Sequence, residues 1–416
     1  MNQVVQFIHG ADLHLDSPFI GLKTLPDFLW EKIYQSTFTA LTNLVNHAID
    51  KQVDFVMLAG DIYDSDDRSV KAQAFLKTEM ERLNQAEIPV FICHGNHDYI
   101  ENSGLHLKMP ENVELFSETV ETKWLTTKNG ERIAVSSFSY NSRWMTKRMI
   151  TEYPKKHETA DFHIGMLHGF SEGLETSHGH YAPFTINELK SKGYDYWALG
   201  HIHTRQVLEI QPPILYAGNT QGRSSKETGI KGCELVTLTL GDSSIETLET
   251  QDIQWETLEI SLAKRSTLDD VYRKIKETIE IKEGSQKNYL LTIELVDTKD
   301  LLPNVLKKII QGELLEALQQ ISATEPFIWV NQLKIKKRAA EDTTEKMFIM
   351  EEWLHGIEEL SKENQFNQST NSLFDFALIE DLLESRDEDY RSRIMKQSLT
   401  EISTELVNES RDNHEN

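Results

Sequence analysis

The chain has 416 residues, of which 39% are hydrophobic and 26% charged, a size that predicts two or three domains with at least one sizeable core. Its two cysteines, Cys93 and Cys233, lie far apart in sequence, which argues against a disulfide framework and favours a reduced compartment. No segment approaches the roughly 20 consecutive apolar residues that span a bilayer, so we expect a cytoplasmic protein with no membrane association.

The net charge of −24 argues against a simple nucleic-acid binder, which usually carries a basic surface. The charge is unevenly distributed, because residues 340–416 contain 20 acidic and only 7 basic side chains. The rest of the chain is much less acidic and is compatible with a local basic groove. The total charge therefore does not exclude nucleic acid as a partner.

The first 240 residues alternate between short apolar runs and segments with helical spacing. The apolar runs predict strands at residues 4–8, 54–59, 88–93, 133–138, 162–167 and 196–199. Helical spacing predicts helices at residues 38–49, 72–83 and 186–192. Strand–helix alternation of this kind is typical of an α/β fold, in which ligands bind at the ends of the strands.

Two further regions follow. Residues 255–337 show the order strand, helix, strand, helix, strand, with the longer helix at 304–321. The acidic tail carries amphipathic helices separated by a polar linker at 364–372, and these helices either pack on their own domain or dock on a partner helix. We therefore predict three domains: a catalytic domain at 1–250, a smaller α/β domain at 251–340 and a helical tail at 341–416.

Side chains that can bind metals follow the predicted strands in a fixed order. The motifs are Asp12-x-His14, Gly60-Asp61, Gly95-Asn96-His97-Asp98, His168 and Gly200-His201-x-His203. A lone Asp-x-His is weak and a Gly-Asp after a strand is often only a turn, whereas GNHD and GHIH are stronger because each puts two side chains that can bind a metal in a glycine turn. All five in order are hard to explain by chance. Carboxylate, amide oxygen and imidazole suit Mn²⁺, Fe²⁺ or Zn²⁺, and two such cations sharing one carboxylate can catalyse in-line attack on a phosphate.

This set of motifs resembles the signature D-x-H, GD, GNH[D/E], H and GHxH of the calcineurin-like metallophosphoesterase superfamily. The resemblance implies a four-layer β-sandwich flanked by helices, a smaller α/β capping domain and a helical C-terminal tail. It implies that one cation is held by Asp12, His14, Asp61 and His203. A second would be held by Asp61, Asn96, His168 and His201, so that Asp61 bridges the two.

The resemblance also implies a mechanism. Two divalent ions, Mn²⁺ in first place with Fe²⁺, Zn²⁺ or Mg²⁺ as alternatives, hold a bridging hydroxide that attacks phosphorus. His97 protonates the leaving oxygen as general acid, and the neighbouring Asp98 steadies its imidazole.

The segments FIHGADLHLDSP, GDIYD, DYWALGHIH and YAGNTQGRS resemble the SbcD-type DNA repair exonucleases, whereas the GD-x-VDRG motif of protein phosphatases is missing at Gly60. This branch implies Mn²⁺-dependent cleavage of DNA phosphodiesters, a homodimer and a coiled-coil SMC-like ATPase partner. Basic residues in the loops around the site are candidate phosphate contacts, namely Arg143, Arg205 and Arg223, with Lys147, Arg148 and Lys226.

Two alternatives stay open at this point. One is a small-molecule phosphodiesterase or phosphatase on the same scaffold, although such enzymes rarely need a second α/β module and a helical tail. The other is a metal-binding scaffold subunit of an ATPase complex, against which the complete ligand set and His97 both count.

Overall fold

The structure is a computed structural model that describes residues 3–19, 22, 25–64, 68–100, 106–173, 181–265, 267–319, 326–336, 359–360, 362–374, 388–395 and 397–398. The chain divides into two compact units. The first comprises Met1–Ile260, Tyr272–Glu294 and Glu313–Lys334, and the second comprises Ser261–Val271, Leu295–Gly312 and Ile335–Asn416.

Strands and α-helices alternate at the start of the chain, and later strands often follow one another with no described α-helix between them. In chain order the strands are β1 (Val4–Gly10), β2 (Phe55–Ala59), β3 (Val90–Cys93), β4 (Val113–Leu115), β5 (Glu121–Thr126), β6 (Arg132–Ser137), β7 (Phe162–His168), β8 (Tyr196–Gly200), β9 (Gln206–Ile210), β10 (Pro213–Tyr216), β11 (Gly232–Thr239), β12 (Asp242–Glu249), β13 (Ile253–Ser261), β14 (Asn288–Val296) and β15 (Ile328–Ile335). The α-helices are α1 (Asp27–Lys51), α2 (Val70–Gln85), α3 (Ile186–Ser191), α4 (Leu268–Glu283), α5 (Pro303–Ile310), α6 (Glu313–Leu318) and α7 (Glu363–Phe374).

Local sequence signals fix several helix ends. Ser69 caps α2 by accepting a hydrogen bond from the backbone N–H of Ala72 at 3.1 Å. Thr185 and Glu188 form a reciprocal capping box at the start of α3. Helix α1 ends at Gln52, which adopts the left-handed conformation with φ 53°.

The first unit contains two six-stranded sheets with the orders β12-β11-β1-β2-β3-β4 and β5-β6-β7-β8-β10-β9. In the first sheet β1, β2, β3 and β4 run parallel. In the second sheet β6, β7, β8 and β10 run parallel, and the outer strands β5 and β9 are antiparallel to their neighbours. The carboxyl ends of parallel strands therefore meet at one edge of each sheet.

Apolar side chains from both sheets pack against each other between the layers. The ring of Phe55 stacks on Phe7 with 4.8 Å between centroids, and Tyr196 of the second sheet meets Phe7 edge-on at 5.3 Å. Helices α1 and α2 pack on the outer face of the first sheet, and α3 contributes Leu189 to the core outside the second. The predicted α/β sandwich of two sheets flanked by helices is confirmed.

A third sheet has the order β13-β14-β15, with α4, α5 and α6 between its strands. The helix predicted at 304–321 is two helices, because Gly312 adopts a positive φ of 85° between α5 and α6. The division into domains at 250 and 340 remains a prediction.

The predicted tail at 341–416 lies mostly outside the described residues. The polar linker predicted at 364–372 is wrong, since these residues belong to α7. Asn, Gln and Ser lower helix propensity only slightly, and Phe366 gives the segment an apolar anchor that is 3% exposed. Among the described helices, none is long and apolar enough to cross a membrane.

The packing between the two sheets generates a testable expectation for stability. We expect Phe55→Ala to lower the free energy of unfolding by about 3–5 kcal/mol, because it leaves a cavity between Phe7 and Phe91. The matched control is Phe28→Ala, whose ring is 41% exposed and whose loss should cost about 0.5 kcal/mol or less. Urea unfolding followed by circular dichroism measures both, and equal losses would contradict a buried role for Phe55.

Candidate metal centre

The metal-binding motifs lie in the loops that follow parallel strands. Asp12 and His14 follow β1, Asp61 follows β2, and Asn96 follows β3. The second sheet contributes His168, at the end of β7, and His201 and His203, after β8. Because both sheets present their carboxyl ends at this edge, the sandwich brings these side chains together.

The first group of ligand atoms surrounds Asp61. Atoms of Asp12, His14, Asp61 and His203 all lie within 4.8 Å of one another. The Nε2 atoms of His14 and His203 are 3.1 Å apart, and Nε2 of His14 is 3.8 Å from Oδ2 of Asp61. Asp12, His14 and Asp61 are buried, and His203 is half-buried. Two imidazole nitrogens that face each other beside carboxylates form a donor set suited to a cation.

A second group lies on the other side of Asp61. The Nε2 atom of His168 is 3.4 Å from Oδ2 of Asp61 and 3.1 Å from Oδ1 of Asn96. The rings of His168 and His201 meet with 5.3 Å between centroids. Asp61 is thus in contact with both groups, which is the position that a bridging carboxylate requires.

Close backbone packing holds these loops in place. The backbone N–H groups of Asp12 and His14 donate to the carbonyls of Gly60 and Asp61 at 3.1 and 3.0 Å. A Cβ at Gly95 would lie 2.3 Å from Oδ1 of Asp61, and a Cβ at Gly200 would lie 1.9 Å from the carbonyl oxygen of Ala59. Glycine is therefore required at both positions, because any side chain would push the ligands apart.

Several ligand candidates also have unusual backbone conformations. Asp12, His14, Asp61 and His201 have φ values of 51°, 46°, 49° and 102°. Residues other than glycine seldom adopt positive φ, and such strain clusters at functional sites. The surrounding packing holds these side chains in orientations that relaxed loops would not give.

The electrostatics of the site fit a cation. Burial raises the pKa of Asp12. Burial acts on Asp61 in the same direction, but the charge and hydrogen bond of His168 outweigh it and lower the pKa of Asp61 well below its usual range. Although burial opposes protonation of His168, the two carboxylates raise its pKa to about 9. The carboxylates therefore favour positive charge beside His168, whereas burial and the charge of Arg223 lower the pKa of His14 to about 3 and leave its imidazole neutral, the form that binds a metal ion.

His97 lies at the rim of the site. Its Nδ1–H donates to the backbone carbonyl of Asp64 at 2.8 Å, and its ring is 5.0 Å from that of His14. Its backbone N–H donates to Oδ1 of Asp61 at 2.9 Å. This arrangement fixes the ring and leaves Nε2 as the nitrogen that can carry a proton to a substrate.

Asp98 has a different role from the one predicted. Its carboxylate accepts hydrogen bonds from the backbone N–H groups of Ile62 at 2.8 Å and Gly95 at 2.7 Å, and it faces Nδ1 of His94 at 3.1 Å. The predicted pairing of Asp98 with His97 is therefore wrong. The tight turn directs the Asp98 side chain back toward Gly95, so it holds the loop together and does not touch the His97 ring.

The predicted phosphate contacts differ in how far they are engaged. Arg205 makes a two-pronged ion pair with Glu234, at 2.7 and 3.1 Å, which occupies its guanidinium. Arg148 pairs with Glu172 and Glu188, and Lys147 pairs with Glu152. Arg143 is exposed over the ring of Trp144, and Lys226 is also exposed. Arg223 is the member of this set that contacts the metal centre.

Two acidic residues at the site escaped the sequence reasoning. Glu227 accepts a hydrogen bond from Nδ1 of His203 at 2.8 Å, an arrangement that orients metal-binding histidines in many proteins. Asp64 lies 3.2 Å from Nδ1 of His14 and pairs with Arg223. The signal for Asp64 was its place three residues after Asp61, whereas no local pattern marks Glu227.

Comparison with known proteins shows what this site resembles. Residues 5–205 match the calcineurin-like phosphoesterase family, a region that contains every predicted metal ligand. A metallophosphoesterase of Bacillus subtilis (strain 168), YhaO, whose name carries the word uncharacterized, is 41% identical over 328 residues, which span 78% of this chain and 79% of that protein.

Two more distant relatives carry the name DNA double-strand break repair protein Mre11. The protein of Thermoplasma acidophilum is 22% identical over 66% of this chain and 74% of its own length. The protein of Sulfurisphaera tokodaii is 25% identical over 81% of this chain and 83% of its own length. The family match and the high identity to the Bacillus protein agree with the geometry of the site. This chain belongs to the calcineurin-like metallophosphoesterase superfamily.

Proposed function

We propose that this chain is a metal-dependent nuclease that hydrolyses phosphodiester bonds of DNA in repair. The observation that carries the proposal is the convergence of carboxylates and imidazoles on both sides of Asp61. The names of the two distant relatives support DNA as the substrate. Family membership supports the coarser activity, phosphoester hydrolysis, independently of the substrate.

In this proposal two divalent cations, Mn²⁺ in first place, are shared by Asp61. The first would be held also by Asp12, His14 and His203, and the second by Asn96, His168 and His201. Two such ions, when bound, supply a water nucleophile ionised near neutral pH and neutralise the charge on the phosphate oxygens.

The protein's own residues position the substrate and move one proton. Glu227 fixes the ring of His203 through Nδ1, and Asp64 lies against Nδ1 of His14. Each imidazole thereby presents Nε2 to the centre of the site. His97, held by the Asp64 carbonyl, delivers the proton from Nε2 to the departing sugar oxygen.

Replacement of the shared carboxylate tests the proposal directly. We expect Asp61→Asn to reduce Mn²⁺ binding and phosphodiester hydrolysis by at least about 100-fold, because one neutral amide cannot bridge two cations. Calorimetric titration with Mn²⁺ and turnover of linear DNA and bis-p-nitrophenyl phosphate measure the two effects. Asp242→Asn, at an exposed carboxylate outside the site, should leave both unchanged.

The substrates separate the nuclease from a small-molecule phosphodiesterase. Turnover of the small ester with DNA left intact, even when an ATPase partner is added, would overturn the nuclease proposal and retain the phosphoesterase chemistry. Full activity of Asp61→Asn would overturn the two-metal arrangement itself.

The leaving group reveals whether His97 is the acid. We expect His97→Ala to slow DNA hydrolysis by about 100- to 10,000-fold, because the sugar oxygen departs as a strong base that needs a proton. The loss on bis-p-nitrophenyl phosphate should be much smaller, since p-nitrophenolate leaves without one. Initial rates on both substrates at saturating Mn²⁺ measure the ratio.

Asp98→Asn is the matched comparison for His97. Asn cannot accept at both oxygens, so one of the two backbone N–H groups loses its partner at a cost of about 1–3 kcal/mol in stability. The ratio of the two rates should stay that of the unmodified protein. An equal loss on both substrates for His97→Ala would contradict its role as the acid.

We also propose that the chain acts as a homodimer and that a coiled-coil SMC-like ATPase presents DNA to the site by docking on residues 341–416. The family resemblance and the amphipathic patterning of this tail support the proposal. Co-expression with a coiled-coil SMC-like ATPase should give a complex that co-elutes in size exclusion. Removal of residues 341–416 should abolish co-elution, and an unaffected complex would contradict docking on the tail.

Light scattering of the chain alone should give twice the mass of one chain, and a monomeric mass would contradict the homodimer.

A further inference from the structure

An exposed tryptophan, Trp144, lies near the metal centre in the loop that follows β6. Its side chain is 70% exposed, the highest value among the tryptophans that the structure describes. The ring of Tyr181 lies against that of Trp144 with 5.7 Å between centroids, and Tyr181 in turn meets the ring of His201 at 5.4 Å. One tyrosine ring therefore separates the exposed indole from a ligand candidate of the metal centre.

The backbone next to Trp144 is fixed, so the indole is exposed at a defined place. Met145 is buried in the core outside the second sheet. Its carbonyl accepts a hydrogen bond from the backbone N–H of Ala182 at 2.7 Å, which ties the loop to the segment that carries Tyr181. A single apolar side chain in water needs no explanation by itself. An indole held in place beside a ligand candidate is, however, a ready-made contact for a substrate.

The neighbouring Arg143 adds positive charge at the same place. Its guanidinium lies 6.0 Å from the centroid of the Trp144 ring, and its side chain is exposed. Arg148, five residues later, is held by two glutamates. Arg143, by contrast, forms no ion pair with any residue that the structure describes. Its charge is therefore available to a phosphate, and the dipeptide offers a cation and an aromatic face side by side.

We propose that Trp144 stacks on an unpaired nucleobase of the strand being cleaved and that Arg143 binds a phosphate of the same strand. Surfaces that bind single-stranded nucleic acid combine these two elements, aromatic rings for the bases and cations for the backbone. A base inside a duplex has both faces covered by its neighbours, so the indole selects a frayed end or a single strand. Because one ring separates Trp144 from His201, the stacked nucleotide lies close to the cleaved bond. This inference rests on the proposed function and specifies its substrate.

The test measures binding by the full-length protein in EDTA, so that no phosphodiester is cleaved. The probes are a fluorescently labelled hexamer of thymidylate and an abasic hexamer with the same number of phosphates. We expect fluorescence anisotropy to show that the unmodified protein binds the thymidylate hexamer about tenfold more tightly, because stacking of one base on an aromatic ring is worth about that much in affinity.

Substitutions at the two positions should separate base from phosphate. Trp144→Ala removes the stacking surface and should bind both hexamers equally. Trp144→Phe keeps a smaller aromatic face and should retain part of the preference, whereas Trp144→Leu keeps apolar bulk without a ring and should behave like Trp144→Ala. Arg143→Gln should weaken the binding of both hexamers by a similar factor, since both carry phosphates, and should leave the preference in place.

The chain offers a matched control in Trp124. Its indole is also exposed, at 44%, and the guanidinium of Arg132 lies 5.2 Å from its centroid. Trp124 belongs to β5, however, the outer strand of the second sheet, three strands away from β8. Trp124→Ala should therefore retain the full preference. Far-UV circular dichroism verifies that each variant is folded.

Hydrolysis of single-stranded DNA with Mn²⁺ gives a second readout. If Trp144 holds the base equally well before and during the reaction, Trp144→Ala should raise KM about tenfold and change kcat little. A variant that disturbed the metal centre would instead lower kcat, so a loss confined to kcat would contradict a role in holding the base.

Four outcomes would overturn this inference. Equal binding of both hexamers by the unmodified protein would mean that only phosphates are recognised. A preference that survives in Trp144→Ala would place the base elsewhere, and if that variant also lost co-elution with the ATPase, the indole would be a protein contact. A full preference in Trp144→Leu would exclude stacking, and its loss in Trp124→Ala would show that the effect is not local.

The inference and the proposed function fail in different ways. Turnover of linear DNA and of bis-p-nitrophenyl phosphate by the unmodified protein is measured separately from binding. Base preference without DNA hydrolysis would overturn the nuclease proposal and retain a nucleotide-binding surface at Trp144. DNA hydrolysis without base preference would overturn this inference alone.

Discussion

Negative charge buried around Asp61 is the constraint on which this architecture depends. A carboxylate removed from water costs several kcal/mol unless opposite charge or hydrogen bonds compensate. Beside Asp61 the protein places His168, and the low pKa of Asp61 and the raised pKa of His168 both record this attraction, whereas burial lowers the pKa of His14 to about 3 and keeps it neutral. Divalent cations would meet the same need more completely, because each carries two charges and can be shared by several donors. The negative charge of these buried carboxylates is therefore compensated inside the site and not by solvent.

The rest of the first unit holds the loops that carry the ligand candidates close to one another. The aromatic contacts of Phe7, Phe55 and Tyr196 lock the two sheets together, so that loops from both sheets face one another. Positive φ values at Asp12 and Asp61 show that these loops are not relaxed. Such strain persists only where surrounding contacts fix the backbone, and the core between the sheets is the source of that rigidity.

Much of the site could be predicted from sequence because its signals are local. Asp61, Asn96 and His201 each follow a strand and a glycine, and parallel strands necessarily bring such ends together. The partners of Asp98, Arg205 and His203 could not be predicted in this way. The Asp98 carboxylate accepts a hydrogen bond from the backbone of Gly95, and Arg205 pairs with Glu234 of β11. Glu227, in a loop 24 residues after His203, accepts a hydrogen bond from its ring. Those pairings depend on tertiary packing that no short pattern records.

The fold shows the same division. Strands with apolar runs were predicted, but β12 was not, because most of its residues face solvent. Strand β11 was also missed although it is almost entirely buried, because Glu234, Thr237 and Thr239 interrupt its apolar run. Strand β11 lies next to β1 although more than 200 residues separate them. The helix α7 was missed because its polar composition resembles a linker, and a single buried side chain such as Phe366 gives no periodic signal.

Arg223 connects the acidic partners of two metal-binding histidines. One guanidinium pairs with Asp64, which contacts His14, and lies near Glu227, which contacts His203. Removing its charge would leave two carboxylates unbalanced beside the ligands, so this arginine cannot be given over to a substrate phosphate without disturbing both histidines. Arg223 therefore serves to balance Asp64 and Glu227, the two acids that hold the histidine rings. Because Asp64 contacts His14 and Glu227 contacts His203, one guanidinium fixes the orientation of two ligand candidates that come from different sheets.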